Sequence, residues 1–234
     1  MAKRKSKKTA AKGILESSDA LRDKLSSTEE YIEKHSNIVF TIVGVILLVV
    51  IGYFLFKYYV RTQNHKAEAD MFQAIFYYEA DSLNKALNGD GNNYGFLDII
   101  DNYPLTKAAD LAHFYTGSIY LKQGDYDDAI DQLSKFKAND IAVQPRAYSL
   151  SGDAYVEKGD ANTAITYYKK AADYMPNEFL TPDYLEKEAA AYESLKDYAS
   201  ASKCYDEIIK KYFGSSQYQN ALKQKARLDA LASK

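Results

Sequence analysis

The sequence predicts an all-α protein, with a single N-terminal transmembrane helix followed by a helical-repeat solenoid. Three observations carry that prediction. Residues 38–56, IVFTIVGVILLVVIGYFLF, hold no charged side chain. Further on, GSIYLKQGDYDDAIDQLSKF, GDAYVEKGDANTAITYYKKA and AAAYESLKDYASASKCYDEI align with small residues and tyrosines in register. Each of these segments has a turn signal at the same place: Gly124-Asp125, Gly159-Asp160 and Lys196-Asp197.

The apolar run is the first element. At 1.5 Å rise per residue it makes a helix of about 29 Å, close to the hydrocarbon thickness of a bilayer. It is apolar all round, whereas a core helix of a soluble protein is amphipathic. A cleaved signal has a shorter apolar stretch and a small-residue cleavage site. Here 37 residues precede the run, and it continues into Lys57-Tyr58-Tyr59-Val60-Arg61, so an uncleaved anchor is expected. Tyr58 and Tyr59 suit the membrane interface, where aromatic rings are enriched. Upstream, Ser27-x-x-Glu30 before Tyr31-Ile32 matches a capping box, so a helix is expected to start there. Gly44 and Gly52 lie too far apart for the four-residue glycine spacing of a helix-dimer motif.

Charge orients the anchor. Residues 1–37 carry Lys3, Arg4, Lys5, Lys7, Lys8, Lys12, Arg22, Lys24 and Lys34, whereas residues 57–77 carry only Lys57, Arg61 and Lys66. Lys and Arg are retained on the cytoplasmic side, which puts the N-terminus in the cytoplasm and the larger part across the membrane. In a bacterium this means an inner-membrane protein with a periplasmic domain. Residues 1–12, basic and without an aromatic, read as disordered. Their charge serves topology, and it also suits anionic lipid or ribosomal RNA. Residues 62–234 are acidic on balance, which argues against nucleic acid as a partner of the soluble domain.

The repeat determines the rest. Gly117, Gly152 and Ala189 are each followed three residues on by Tyr120, Tyr155 and Tyr192. Ala129, Ala164 and Ala201 come next, and then the large residues Leu133, Tyr168 and Tyr205. This is the tetratricopeptide pattern, a helix–turn–helix unit of about 34 residues. Small residues mark where its two helices cross closely, and large ones fill the gaps. Glycine in the turn can take the left-handed conformation that ends a helix. Most of the chain's tyrosines fall at such core positions.

The expected organisation is a cytoplasmic tail over residues 1–37 and a transmembrane helix over 38–59. Leading helices or a degenerate repeat over 60–109 follow, with Ala67, Met71, Ala74, Ile75 and Tyr78 recurring at helical spacing. The helix leaving the membrane runs straight into the domain or breaks near Asn64. NGDGNNY at 88–94 is a turn cluster, followed by a short helix closed by Pro104. Three repeats occupy 110–215, and a capping helix occupies 216–234, since solenoids need protected ends.

Catalytic and metal signatures are missing. No GxSxG, HExxH or GxxxxGK[ST] occurs, and no enzyme is expected. The Asp90–Asp101 stretch departs from a calcium-binding loop at positions five and twelve. Cys204 stands alone, and His35, His65 and His113 are scattered, so neither a disulfide nor a zinc site nor any cofactor is expected. Asp125, Asp127, Asp128 and Asp131 complement a helix dipole. What remains is the inner face of the repeat array, which the first helix of each pair lines. Register assigns to it Leu111, Phe114, Ser118 and Leu121, then Arg146, Ser149, Asp153 and Val156, then Asp183, Glu186, Ala190 and Glu193. The face runs from apolar through mixed to acidic and would suit a segment with apolar and basic residues. Alternatively it is solvated, or covered by the leading helix.

Three segments carry a family resemblance: DSLNKALNGDG at 81–91, GFLDIIDNYPLTKAADLAHFYTGSIYLKQGDYDDAI at 95–130, and GDAYVEKGDANTAITYYKKAA at 152–172. Together with the anchor, they make the chain resemble the YfgM family of bacterial inner-membrane proteins, in its Bacteroidota-type form. The likeness extends over nearly everything from residue 28 on. It implies an ancillary subunit of the SecYEG translocon that pairs with a PpiD-like periplasmic chaperone and assists protein export. The resemblance brings no functional residues with it, so the twelve face positions rest on register alone. A competing expectation is a periplasmic scaffold or regulator in envelope stress signalling or envelope assembly. Such proteins are often lipoproteins, and no cysteine lies near the apolar run. A third is an organellar anchor exposing its repeats.

Overall fold

The computed structural model describes residues 33–232, and ten helices run through them without a strand among the described residues. The capping box at Ser27 and the basic run at 1–12 lie outside the described residues. The chain divides into two units, one ending at Tyr58 and the other beginning at Tyr59.

In the first unit, helix α1 (Ser36–Glu79) carries the uncharged run. Phe40, Leu48 and Phe54 are more than half exposed, as are most apolar side chains around them. Water would solvate such a surface poorly and hydrocarbon would cover it well. The helix is long and apolar enough to cross a membrane.

The second unit is all packed helix. Its first element is the part of α1 from Tyr59 onward, and no break occurs at Asn64. Ala67, Met71 and Ala74 are buried against Phe96, Ile99, Ala108 and Ile119. Two short helices follow, α2 (Leu83–Asn88) and α3 (Phe96–Asn102). The loop between them is organised by Asp90, whose Oδ1 accepts from the backbone N–H groups of Asn92 at 2.9 Å and Asn93 at 2.7 Å. Its other oxygen accepts from the Tyr77 hydroxyl at 2.6 Å. That carboxylate, which opens the calcium-like spacing, is thus occupied in fixing the loop.

Three helix pairs come next: α4 (Lys107–Gln123) with α5 (Tyr126–Lys135), α6 (Val143–Glu157) with α7 (Ala161–Asp173), and α8 (Thr181–Ser194) with α9 (Tyr198–Lys211). Helix α10 (Tyr218–Ala232) closes the array by burying Ala221 and Leu228. The first repeat helix starts at Lys107, three residues ahead of the expected boundary at 110. Thr106 dictates this start, because its hydroxyl accepts from the Ala109 N–H at 3.1 Å and satisfies a donor that the helix leaves open.

Each pair is drawn together where the small residue sits. A Cβ on Gly152 would lie 2.6 Å from Cε1 of the Tyr168 ring, and one on Gly117 would lie 2.7 Å from Cγ of Leu133. The third pair has Ala189 at this place, fully buried against the cluster that holds Tyr205. The turns differ in one respect. Gly124 and Gly159 have φ of 85° and 78°, and at the matching place Lys196 is held at φ 61°. Asp160 and Asp197 cap the helices that follow, accepting from Thr163 and Ser200 at 3.0 Å, whereas Asp125 makes no such side-chain bond.

The first helices of successive units lie side by side and run the same way. Asn64 Oδ1, near the start of the part of α1 that belongs to this unit, accepts from Ala108 N in the first turn of α4 at 3.1 Å, and Lys122 near the end of α4 meets Asp81 just past α1 at 3.2 Å. Between them, the Tyr78 and Ser118 hydroxyls are 2.9 Å apart. Helix α10 stands to α8 as one first helix to the next: Gln217 bonds Asp183, Asn220 bonds Glu186 and Arg227 bonds Glu193. The far ends are linked too, with Tyr126 reaching Glu157 and Lys158 paired with Asp127.

One buried acid makes stability depend on pH. Glu188 on α8 is 6 % exposed, beside Cys204 and within reach of Lys169, Asp173 and Glu207. Burial raises its carboxyl from 4.5 to about 7, with the acids Asp173 and Glu207 adding to the rise and Lys169 opposing it. Between 4.5 and about 7 the folded state therefore holds a proton that the unfolded state releases.

Three outcomes are expected from thermal unfolding of the full chain. Gly152→Leu should lower stability by on the order of 1–3 kcal/mol or more, because the Tyr168 ring has nowhere to move. An unchanged melting temperature would place the close crossing elsewhere. Lys196→Gly should raise stability by about 0.5–1 kcal/mol by relieving a left-handed side-chain residue. No gain would mean that this turn is not left-handed in solution. Glu188's contribution is complete below its ordinary value of 4.5 and is lost as pH rises through about 7. Stability should thus fall across that window, and Glu188→Gln should flatten that part of the profile. A profile that Glu188→Gln leaves unchanged would mean the carboxyl titrates normally.

Candidate partner-binding face

A hollow of about 800 Å³ opens where α4, α6 and α8 lie side by side. Six of the twelve positions read from register line it: Phe114, Arg146, Ser149, Asp183, Glu186 and Ala190. They meet because consecutive first helices run in the same direction, so equivalent turns fall level. Phe114 and Ser149 form the floor at 8 % and 3 % exposed, while Arg146, Asp183 and Ala190 are exposed on the walls.

The other six sit elsewhere. Leu111 packs between two core clusters and supports the floor from beneath. Ser118 is buried in its contact with Tyr78. Asp153 is held by Lys187, with Nζ 2.6 and 2.8 Å from its two oxygens, and accepts from the Tyr168 hydroxyl at 2.7 Å. Burial, then this carboxylate, raises the Tyr168 phenol, so it stays a donor. Glu193 pairs with Arg227 at 2.6 Å. Leu121 and Val156 lie near the far ends of their helices, outside the hollow.

The remaining charges define its chemistry. Asp183 and Glu186 accept from the amides of Gln217 and Asn220, which satisfy their oxygens without cancelling their charge. Arg146 faces them from α6. Its positive field opposes the effect of burial on the Tyr184 phenol, which is nonetheless raised. The hollow thus offers an apolar floor, the cation Arg146, the acids Asp183 and Glu186, and Lys187, whose charge is paired with Asp153. Burial, as the leading cause, raises the Tyr115 phenol as well.

Sequence register missed several lining residues. Tyr115 and Tyr184 each follow a predicted position directly, and Leu150 follows Ser149. A wider allowance around each inward position would have included them. Tyr78 has no such signal, because the leading helix does not align with the repeats. It reaches the hollow through its ring contact with Tyr115, at 5.0 Å between centroids. A separate, smaller hollow is lined by Phe72, Gln73, Asn93 and Tyr94.

No curated protein matches the chain. A family model described as a tetratricopeptide repeat-like domain matches residues 96–187, the stretch from α3 to the middle of α8. A tetratricopeptide-like domain is therefore present, and the hollow is built mainly from its first helices.

Proposed function

We propose that the protein is a membrane-anchored adaptor that holds a partner polypeptide in the hollow between α4, α6 and α8. One observation supports this above others: three successive first helices leave Phe114, Arg146, Asp183 and Glu186 around one 800 Å³ space. Concave faces of stacked repeats bind extended segments in this way. An apolar floor supplies affinity, and fixed charges on the walls supply register and selectivity.

The setting comes from the sequence. The uncharged run supports an anchor, and the excess of Lys and Arg in residues 1–37 supports a cytoplasmic N-terminus with the repeats across the membrane, which in a bacterium is the inner one. The resemblance to the YfgM family supports a place beside the SecYEG translocon, with a PpiD-like chaperone or an emerging polypeptide as the occupant. The adaptor then keeps the chaperone close to the exit of the channel.

A photo-crosslinker at Ala190, exposed on the wall of the hollow, tests this in cells. The expected adducts are with a translocon subunit, a prolyl-isomerase-like chaperone or a secretory chain. Adducts only from Thr166, an exposed position on α7 that does not line the hollow, would move binding off this face. Arg146→Glu should weaken capture by on the order of tenfold, the scale of one lost charge contact, and leave melting unchanged because the side chain is exposed. Capture at wild-type level by Arg146→Glu would remove the cation from the mechanism. Phe114→Ala is the poorer test, because Phe114 is buried and its truncation lowers stability as well.

A further inference from the structure

The two edges of the repeat array differ in chemistry. At one edge lie the turns within each helix pair, with Gly124-Asp125, Gly159-Asp160 and Lys196-Asp197. At the other lie the loops that lead into each first helix, and every one carries an exposed large apolar residue. Leu105 precedes α4 and is 62 % exposed; Ile141 precedes α6 at 54 %; Phe179 precedes α8 at 85 %; Phe213 precedes α10 at 71 %. Single exposed apolar residues are ordinary on protein surfaces. Recurrence at one structural place in four successive loops is not scatter, and core packing does not require it.

The chain itself indicates what faces this edge. Asn64 bonds the first turn of α4, so α1 enters the repeat unit at the edge that holds the four loops. Only residues 57–63 separate Asn64 from Phe56, the last residue of the uncharged run. Fully extended, that link spans at most about 28 Å, and less where helical. The edge is therefore tethered to the membrane-crossing segment whatever angle that segment takes. Lys107 and Lys137 are exposed beside the first two loops, with Asp101, Asp140 and Glu178 among the nearby acids.

We propose that this edge rests on the lipid surface, with Leu105, Ile141, Phe179 and Phe213 inserted into the headgroup–acyl boundary. Apolar side chains favour that boundary and long cationic stems snorkel there. The turns of the opposite edge, where Lys158 and Lys196 stand beside Asp160 and Asp197, then point to water. Contact at several loops holds the array to the bilayer in one orientation and fixes which way the hollow opens. The inference rests on the membrane anchoring proposed above.

The chain contains no tryptophan, so one substitution creates a single reporter. Phe179→Trp, Leu195→Trp at the opposite edge and Leu48→Trp in the apolar run are made in the full chain. Each is reconstituted in vesicles of zwitterionic and anionic phospholipid, with and without lipids brominated high in the acyl chain. For Phe179→Trp the expected result is blue-shifted emission that loses most of its intensity in brominated vesicles. Leu195→Trp should emit as a water-exposed indole and keep its intensity. An unquenched Phe179→Trp beside a quenched Leu48→Trp overturns the lipid contact and leaves the loops as a surface for protein. Equal quenching of Phe179→Trp and Leu195→Trp overturns the choice of edge. An unquenched Leu48→Trp removes the anchoring itself, and the lipid contact with it.

Discussion

Everything in the repeat unit depends on how closely the two helices of each pair approach. At Gly152 the Tyr168 ring fills the place where a side chain would begin, and at Gly117 Leu133 does the same. This contact removes large apolar groups from water, and it also sets the spacing of every element beyond it. Because each pair is held rigidly, successive first helices stack in parallel, and level turns form one continuous face. The hollow is a consequence of that stacking. No residue in it would meet its neighbours if the crossings opened.

Charge within the array is divided between structure and surface. Lys187 and Asp153 lock α8 to α6, with the Tyr168 hydroxyl on the same carboxylate. One residue group thus joins the close crossing of the second pair to the spacing of the next. Arg227 does similar work on Glu193 from the closing helix. Asp183 and Glu186 are treated differently: they are held in place by neutral amides and keep their charge at the mouth of the hollow. In the adaptor proposed above, acids held in this way would complement a partner segment of opposite charge.

The closing helix has two roles that follow from one geometry. By packing Ala221 and Leu228 against the last pair it covers an apolar face that would otherwise meet water. By standing as a further first helix it supplies Gln217, Asn220 and Arg227 to the acids of α8. The leading end of the array is built less regularly. There the second helix is split into α2 and α3 around the Asp90 loop, and Phe96 stacks on Tyr115 at 4.8 Å to complete the core.

Most of the helices are legible in local sequence, although the continuity of α1 through Asn64 and the start of α4 at Lys107 are not. An uncharged run of bilayer length, small residues at repeat spacing and turn residues between them specify helices, their order and their close contacts. Local chemistry is enough for this, because helix ends, turns and crossings each depend on a few neighbouring residues. It also located Phe114, Arg146, Ser149, Asp183, Glu186 and Ala190, since repeat register alone decides which turn of a first helix faces inward. Tertiary structure decided the rest. Leu111 and Ser118 became packing because neighbouring helices covered them, and Asp153 and Glu193 became paired because Lys187 and Arg227 arrived from the next unit. Tyr78 joined the hollow from a helix with no repeat register of its own. Lys196 kept a left-handed turn without glycine because the helices on either side define its path. In each case the outcome depends on contacts between residues 30 or more positions apart, or on strain that surrounding helices impose, and periodicity within one segment carries neither.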